Sequence, residues 1–167
     1  DSFAVQIDDD VYTIPCRLSD FLENGWSLSE EDPDNRLAGA DKPYCEFPNR
    51  NLTLTNDKDQ SISVTVYNTS ESPVPIKEGT VGRLSVSNSS HDFHGADLQL
   101  PGGMMLGWVT IEDVIDQYGE PSDRYKTFNL TYELEGSEYT KYLDLTFDRD
   151  GFLSNAVIQN HEYYREY

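Results

Sequence analysis

An α+β fold of two tandem repeats, each a short helix packed on an antiparallel sheet of three to four strands, is what this sequence predicts. Three observations carry the prediction. A stretch beginning at Leu106 spells out an amphipathic helix with both ends written in. Several segments alternate apolar and polar residues with period 2, the mark of a half-buried antiparallel sheet. Short pieces of the first half also reappear, in the same order, in the second.

The helix comes first. In LGWVTIEDVIDQYGEP, Thr110 is placed to cap a helix, with Asp113 three residues on as the capping-box acid. Ile111, Val114, Ile115 and Tyr118 fall at i, i+3, i+4 and i+7, one buried helical stripe. Gly119 supplies a left-handed stop and Pro121 prevents continuation.

The N-terminal segment AVQIDDDVYTIPCRLSDFLENGW reads as an alternating stretch (Val5, Ile7), a turn at Asp8 to Asp10, and a helix through Leu18, Phe21 and Leu22 that Gly25 ends. It lies without gaps on DLQLPGGMMLGWVTIEDVIDQYG. Val5-Gln6-Ile7 meets Leu98-Gln99-Leu100, and Leu18, Asp20, Phe21 and Leu22 meet Ile111, Asp113, Val114 and Ile115. Further on, Asn51 to Leu54 meets Asn129 to Tyr132, Val64 to Val66 meets Leu145 to Phe147, and Leu84 to Asn88 meets Ala156 to Asn160. The length differences fall in turn-rich sequence, where loops tolerate them. The expected organisation is a first repeat over 1–90 with an insertion at 27–43, and a second over 91–167, with a linker at 88–96.

The strands are legible by alternation. Ile62, Val64 and Val66 alternate with Ser63, Thr65 and Tyr67, and Leu143, Leu145 and Phe147 alternate with Tyr142, Asp144 and Thr146. Leu52, Val64, Val66, Leu130, Leu143, Leu145 and Phe147 are thereby assigned to the core. Thr53, Thr65, Tyr67, Thr131, Asp144 and Thr146 are assigned to the opposite, polar face. Asp148-Arg149-Asp150-Gly151 is a hairpin turn with Gly151 where φ must be positive.

The helix segment resembles the start of SmpA/OmlA-type repeats of bacterial envelope lipoproteins: a Gly, a Thr opening a helix with an acid-Val pair, then a Gly-x-Pro stop. LDLTFDRDGFLSNAVIQ is similar to their closing hairpin, and the tandem arrangement looks like that of β-lactamase-inhibitor-protein-like repeats, which form one continuous concave sheet. The resemblance is direct over about residues 106–160 and reaches the first half through the internal match. It implies secretion, a non-enzymatic role and protein–protein contact. The matching residues are cap, stop, turn and core, so no functional residue is carried over.

Charge narrows the partners. Thirty-one acids against 12 bases leave −19, spread along the chain. Such a field repels phosphate backbones and anionic lipid, which argues against nucleic acid and membrane surfaces and leaves a cationic partner, such as a basic protein, divalent ions or plain solubility as its meaning. The 11 Tyr, 7 Phe and 2 Trp supply the large buried areas that a modest apolar fraction needs. No apolar run is long enough to span a membrane, so no membrane insertion by this chain is expected. The start at Asp1 without Met fits a trimmed signal or anchor segment, and the expected location is extracellular or envelope-anchored, as a monomer.

Cys16 and Cys45 are a disulfide candidate closing a loop of about 30 residues, worth ~3 kcal/mol in the chain-entropy model; two buried thiols are the alternative. The four Asn-x-Ser/Thr sequons, at Asn51, Asn68, Asn88 and Asn129, read as incidental. His91, His94 and Asp97 have the residue types of a metal site, but their place in a linker argues for solvated side chains and no metal. Asp8-Asp9-Asp10 and Asp148-x-Asp150 read as turns rather than calcium loops. No nucleophile elbow, zinc-binding helix or phosphate loop is present, so no catalytic residue and no cofactor are assigned.

Tyr67, Tyr132, Tyr139, Tyr142 and the Tyr-rich tail are candidates to line the polar face. The resulting expectation is a non-enzymatic binding module recognising a protein on a concave polar sheet through Thr53, Thr65, Tyr67, Thr131, Asp144 and Thr146. A hydrolase with an acidic site between the repeats, and a structural spacer domain of a surface protein, are the alternatives.

Overall fold

The computed structural model describes residues 3–40, 47–88, 96–125, 127–133 and 141–161. Strands β1 (Phe3–Ile7) and β2 (Asp10–Ile14) form a hairpin, and β3 (Cys16–Arg17) leads into helix α1 (Leu18–Glu23). After β4 (Ser27–Leu28) and β5 (Arg36–Leu37) come β6 (Asn49–Thr55), β7 (Ser61–Tyr67), β8 (Val74–Pro75), a 3-10 turn (Ile76–Glu78) and β9 (Thr80–Ser87). The second part runs through β10 (Leu98–Leu100), β11 (Met104–Met105), helix α2 (Ile111–Tyr118), β12 (Asp123–Tyr125), β13 (Asn129–Glu133), β14 (Lys141–Phe147) and β15 (Leu153–Asn160).

The α+β class and both helices are as expected; the sheets are not. Instead of two tandem repeats with their own small sheets, the strands join in one nine-stranded sheet of order β12-β13-β14-β15-β9-β7-β6-β4, with β3 paired to β9. A second sheet, β11-β10-β1-β2, also draws on both parts of the chain, and β5 pairs β8 apart from either. The tandem, inhibitor-like arrangement is therefore corrected. The reason lies in two seams. Strand β9 pairs antiparallel with β15 from Ser87↔Asn155 to Arg83↔Gln159, and β1 pairs with β10 at Gln6↔Gln99 and Ile7↔Leu98. A strand rich in Val and Leu left at an edge is an open template for pairing, and each half closes the other's edge.

Helix α2 forms as its sequence dictates. Thr110 Oγ1 accepts from Asp113 N at 3.3 Å, and Thr110 N donates to Asp113 Oδ2 at 2.9 Å, completing the capping box. Gly119, with φ +82, sends its N–H to Ile115 O at 2.8 Å and ends the helix. Val114 is fully buried, while Ile111, Ile115 and Tyr118 pack half-buried against the core. In α1, Leu18 and Phe21 are buried, and the Phe21 ring stacks on Tyr12 of β2 at 4.0 Å.

One apolar cluster underlies everything. It takes Leu18 and Phe21 from α1, Val114 from α2 and the inward side chains of both sheets. Leu52, Val64, Val66, Leu130, Leu145 and Phe147 are buried as expected, and Leu143 is half-buried for a reason given below.

The 27–43 insertion is a built part of the fold over its described residues. Leu37 is buried and Asn68, itself 3% exposed, donates from Nδ2 to Ala38 O at 2.8 Å and Ser72 O at 2.9 Å. Glu31 pairs with Arg50 of β6, and Asp34 with Lys77. A sequon whose Asn is so buried and occupied is no glycan acceptor, in keeping with the incidental reading of Asn68. Most of the expected 88–96 linker lies outside the described residues.

Two outcomes follow from this architecture. Leu84 is fully buried in the core from the central strand, so Leu84→Ala costs about 2–5 kcal/mol in urea unfolding, against roughly ±0.5 kcal/mol for Thr53→Ala on the open face. Thr110→Ala removes the cap and costs about 0.5–2 kcal/mol. Hydrogen bonds from the Thr110 backbone and then its hydroxyl hold the Asp113 carboxyl below its ordinary value. A depressed carboxyl stabilises the fold above its unfolded pKa and loses that effect as pH falls through the folded one. Acid unfolding of Asp113→Asn is accordingly less pH-dependent below ~4 than that of the parent.

Candidate functional site: the polar face of the large sheet

Both helices send their buried side chains into the apolar cluster, and among the described residues no helix covers the opposite face of the nine-stranded sheet. The registers show what lies there. One row crosses the sheet as Thr53, Ser63, Ser85, Val157, Asp144 and Thr131. The next runs Asn51, Thr65, Arg83, Gln159, Tyr142 and Glu133. The row beneath the same strands on the inner side is Leu52, Val64, Leu84, Ile158, Leu143 and Tyr132, so the alternation holds across the seam.

Thr131, Asp144 and Thr146 come together with Asn129. Asp144 Oδ1 accepts from Asn129 Nδ2 at 2.8 Å and Thr131 Oγ1 at 3.0 Å, while Asn129 Nδ2 lies 3.3 Å from Thr146 Oγ1. Thr53 is exposed on the far side of the sheet. Thr65 and Tyr67 share the face but are only 5% and 4% exposed. Thr65 Oγ1 donates to Asn51 Oδ1 at 2.6 Å, and the Tyr67 ring stacks on His161 at 4.1 Å. These two side chains support the face from within rather than present themselves to solvent.

The closed corner around Tyr67 has a local cause. A register shift between Thr65 and Val66 against β9 bulges that strand at Gly82. A Cβ on Gly82 would meet His161 Cβ at 2.7 Å and the Tyr67 ring at 3.0 Å. Only glycine lets the two rings close over the backbone. Tyr142 OH then donates to Gln159 Oε1 at 2.9 Å, and Gln159 Nε2 stands 3.2 Å from His161 Nε2.

Sequence reading passes over the residue at the centre of the face, Arg83. It is half-buried between Thr65 of β7 and Gln159 of β15, and among the described residues it makes no hydrogen bond or ion pair. The signal that would have found it is the period of Thr80–Ser87, in which Leu84 and Val86 turn inward and Arg83 and Ser85 outward.

The remaining candidates fall elsewhere. Tyr132 belongs to the inner face, where it meets Tyr118 edge-on at 5.7 Å, so it does not line the polar face as expected. Tyr139, the Tyr-rich tail beyond His161, Cys45, His91 and His94 lie outside the described residues. Asp97 is exposed, and its backbone N–H and C=O bond Asp8, closing the β1–β10 junction. Among the described residues no group of three or more His, Cys, Asp or Glu is placed to hold a metal. Asp148 Oδ1 accepts from Asp150 N at 2.9 Å and Phe152 N at 3.0 Å, an Asx turn with Gly151 at φ +86. Cys16 is a half-buried free thiol; burial, with Asp20 nearby, pushes its pKa up to about 12.

A second concavity lies on the helix side, a cavity of about 500 Å³ lined by residues of both sheets and of α2. Leu143 opens onto it, which is why it is half-buried. Among the described residues no helix is long and apolar enough to cross a membrane.

Comparison of the chain with protein-family models, with curated proteins and with solved structures finds no match. The resemblance to SmpA/OmlA-type repeats rests on its sequence motifs alone.

The Gly82 corner is open to test. Gly82→Ala forces the Tyr67 and His161 rings apart and costs about 1–3 kcal/mol by overpacking. The ring-current shift of the His161 protons in NMR collapses in the same variant, while the α2 amide resonances stay in place.

Proposed function

We propose that this chain is a non-enzymatic binding module that recognises a protein partner on the polar face of the nine-stranded sheet. The observation that carries the reading is the continuity of that face: two rows cross six paired strands in register, and Val157, at the seam, is the one apolar residue in them. A regular strand surface, with its side chains held by neighbours on both sides, presents groups at fixed spacing and loses little entropy when a partner docks.

The electrostatics define the partner further. A net charge of −19 steers a basic protein toward the chain at low salt. At contact range the Arg83 guanidinium, without an ion pair among the described residues, offers a planar fork to a single carboxylate of that partner, setting its register against the Asp144 cluster. An extracellular or envelope-anchored setting is part of this reading, supported by the lipoprotein-like helix motif. The hydrolase alternative, an acidic site between the repeats, gains nothing from Asp113, whose downward shift belongs to a helix cap.

Photo-crosslinking residues at Ser63 and Asn155, on the polar face, should capture a partner from envelope extract or medium, with yield falling as salt rises. The same residues at Glu112 and Asp116, on the exposed side of α2, should not. Arg83→Ala and Asp144→Lys should each weaken the captured complex by roughly tenfold or more, with melting temperatures within about 2 °C of the parent. Products formed only from α2 or from the 27–40 segment would sink the reading.

A further inference from the structure

The small sheet ends on an open strand. In its order, β11-β10-β1-β2, the last strand pairs among the described residues only with β1, in unbroken register from Phe3↔Ile14 to Ile7↔Asp10. It has 5 residues, where the strands at the other ends of the two larger sheets have 3 in β12 and 2 each in β4 and β11. Proteins blunt exposed edges with charge, proline or a bulge. Strand β12 carries Asp123 and Arg124, whereas β2 has none of these devices between Asp10 and Ile14.

The ladder decides which backbone groups face outward. Asp8 N donates to Asp97 O at 2.9 Å, so Asp8–Asp97 and, two residues back, Gln6–Gln99 are the bonded pairs between β1 and β10. The backbones of Val5 and Ile7 therefore turn the other way and bond Tyr12 and Asp10 of β2. Val11 and Thr13 alternate with those residues and turn N–H and C=O away from β1. Both are exposed, Val11 by 67%, and among the described residues no hydrogen bond reaches these outward groups.

The strand is fixed from behind. The Phe21 ring stacks on Tyr12 at 4.0 Å, Asn24 Nδ2 donates to Tyr12 OH at 3.1 Å, and Asn160 Nδ2 donates to Ile14 O at 2.8 Å. An incoming chain meets donors and acceptors already in place and has only itself to order. N–H and C=O groups at strand spacing are matched by the backbone of another extended segment.

The charge of that segment follows from Asp9 and Asp10 at the turn end of the edge. Among the described residues neither forms an ion pair, and Lys58 bonds Asp8 instead. A second copy of the chain would bring its own −19, which opposes self-pairing. A basic segment meets no such penalty.

We propose that β2 takes up an extended segment of another protein as an added antiparallel strand, with lysine or arginine at the C-terminal end of that segment beside Asp9 and Asp10. The edge lies in the small sheet, so this site stands independently of the polar face.

The test uses the folded chain and two peptides, acetyl-TVTVTKK-amide and acetyl-TVTVTEE-amide, followed by amide resonances and hydrogen exchange in NMR. At millimolar concentration the lysine peptide should shift the Val11 and Thr13 amides and slow their exchange. It should bind about fivefold or more tightly than the glutamate peptide at low salt. With lysine opposite Asp10, the last two threonines face Val11 and Thr13; N-methylation there should abolish binding, and N-methylation of the valines should not. Val11→Pro removes an outward donor without touching the β1 ladder and should weaken the complex. Changing both Asp9 and Asp10 to Asn should remove most of the preference for lysine. If Val11→Pro does not fold, the N-methylated peptides decide on the parent chain. Equal binding of the two peptides, indifference to N-methylation, or shifts that miss Val11 and Thr13 would overturn the proposal. So would slowed exchange of these amides in the chain alone that grows with its concentration, which would put a second copy on the edge.

Discussion

The pairing of β9 with β15 is the constraint on which the rest of the molecule depends. It brings Leu84 opposite Ile158 and Val86 opposite Ala156, four side chains buried to within 1% of full burial. Each buried Leu or Ile of this kind contributes about 1.5–3 kcal/mol of transfer free energy. The backbone hydrogen bonds of the seam add directionality that burial alone lacks. Because side chains alternate with period 2, a slip of one residue at this seam would turn Arg83 and Gln159 into the core and Leu84 and Ile158 out of it. The register is thus held by the hydrophobic pattern on both strands at once.

The same seam creates the polar face. Separate sheets for residues before 88 and after 96 would have presented two small surfaces with β9 and β15 as their edges. Joined, they place Arg83 at the middle of a broad surface and bring Gln159 to its side. Two irregularities interrupt so long a sheet, the bulge at Gly82 and a second register shift between Thr146 and Phe147. At the first of these the missing Cβ admits the Tyr67–His161 stack. A single glycine therefore links sheet geometry to the shape of the candidate surface.

The second seam, β1 with β10, works differently. It is short, and its closure depends on side chains around it. Asp8 Oδ1 accepts from Asp97 N at 3.2 Å and from Gln60 Nε2 at 3.4 Å, and Asp8 Oδ2 accepts from Lys58 Nζ at 3.2 Å. Asp8 adopts φ +52, a conformation Asp tolerates better than most residues. The acidic triplet at the turn is thus a junction between the two sheets. Where the small sheet and α2 part from the strands of the large one, the helix-side groove is left, so its position is also a consequence of how the two seams divide the chain.

Local rules were enough for much of this. The cap at Thr110, the stop at Gly119, the turn at Gly151, the two helices and the inward residues of β6, β7, β13 and β14 all follow from spacing within a few residues, because dihedral preference and period 2 or 3.6 act over that range. The polar face was legible as a set of residues for the same reason. What the sequence could not decide was which strands become neighbours, since Val- and Leu-rich edges pair as readily within a half as across halves, and only the packed whole selects β9 with β15. That choice turned an expected pair of small sheets into one, closed Thr65 and Tyr67 beneath their neighbours, drew Tyr132 to the inner side, and put an arginine that looked ordinary in its strand at the centre of the open face.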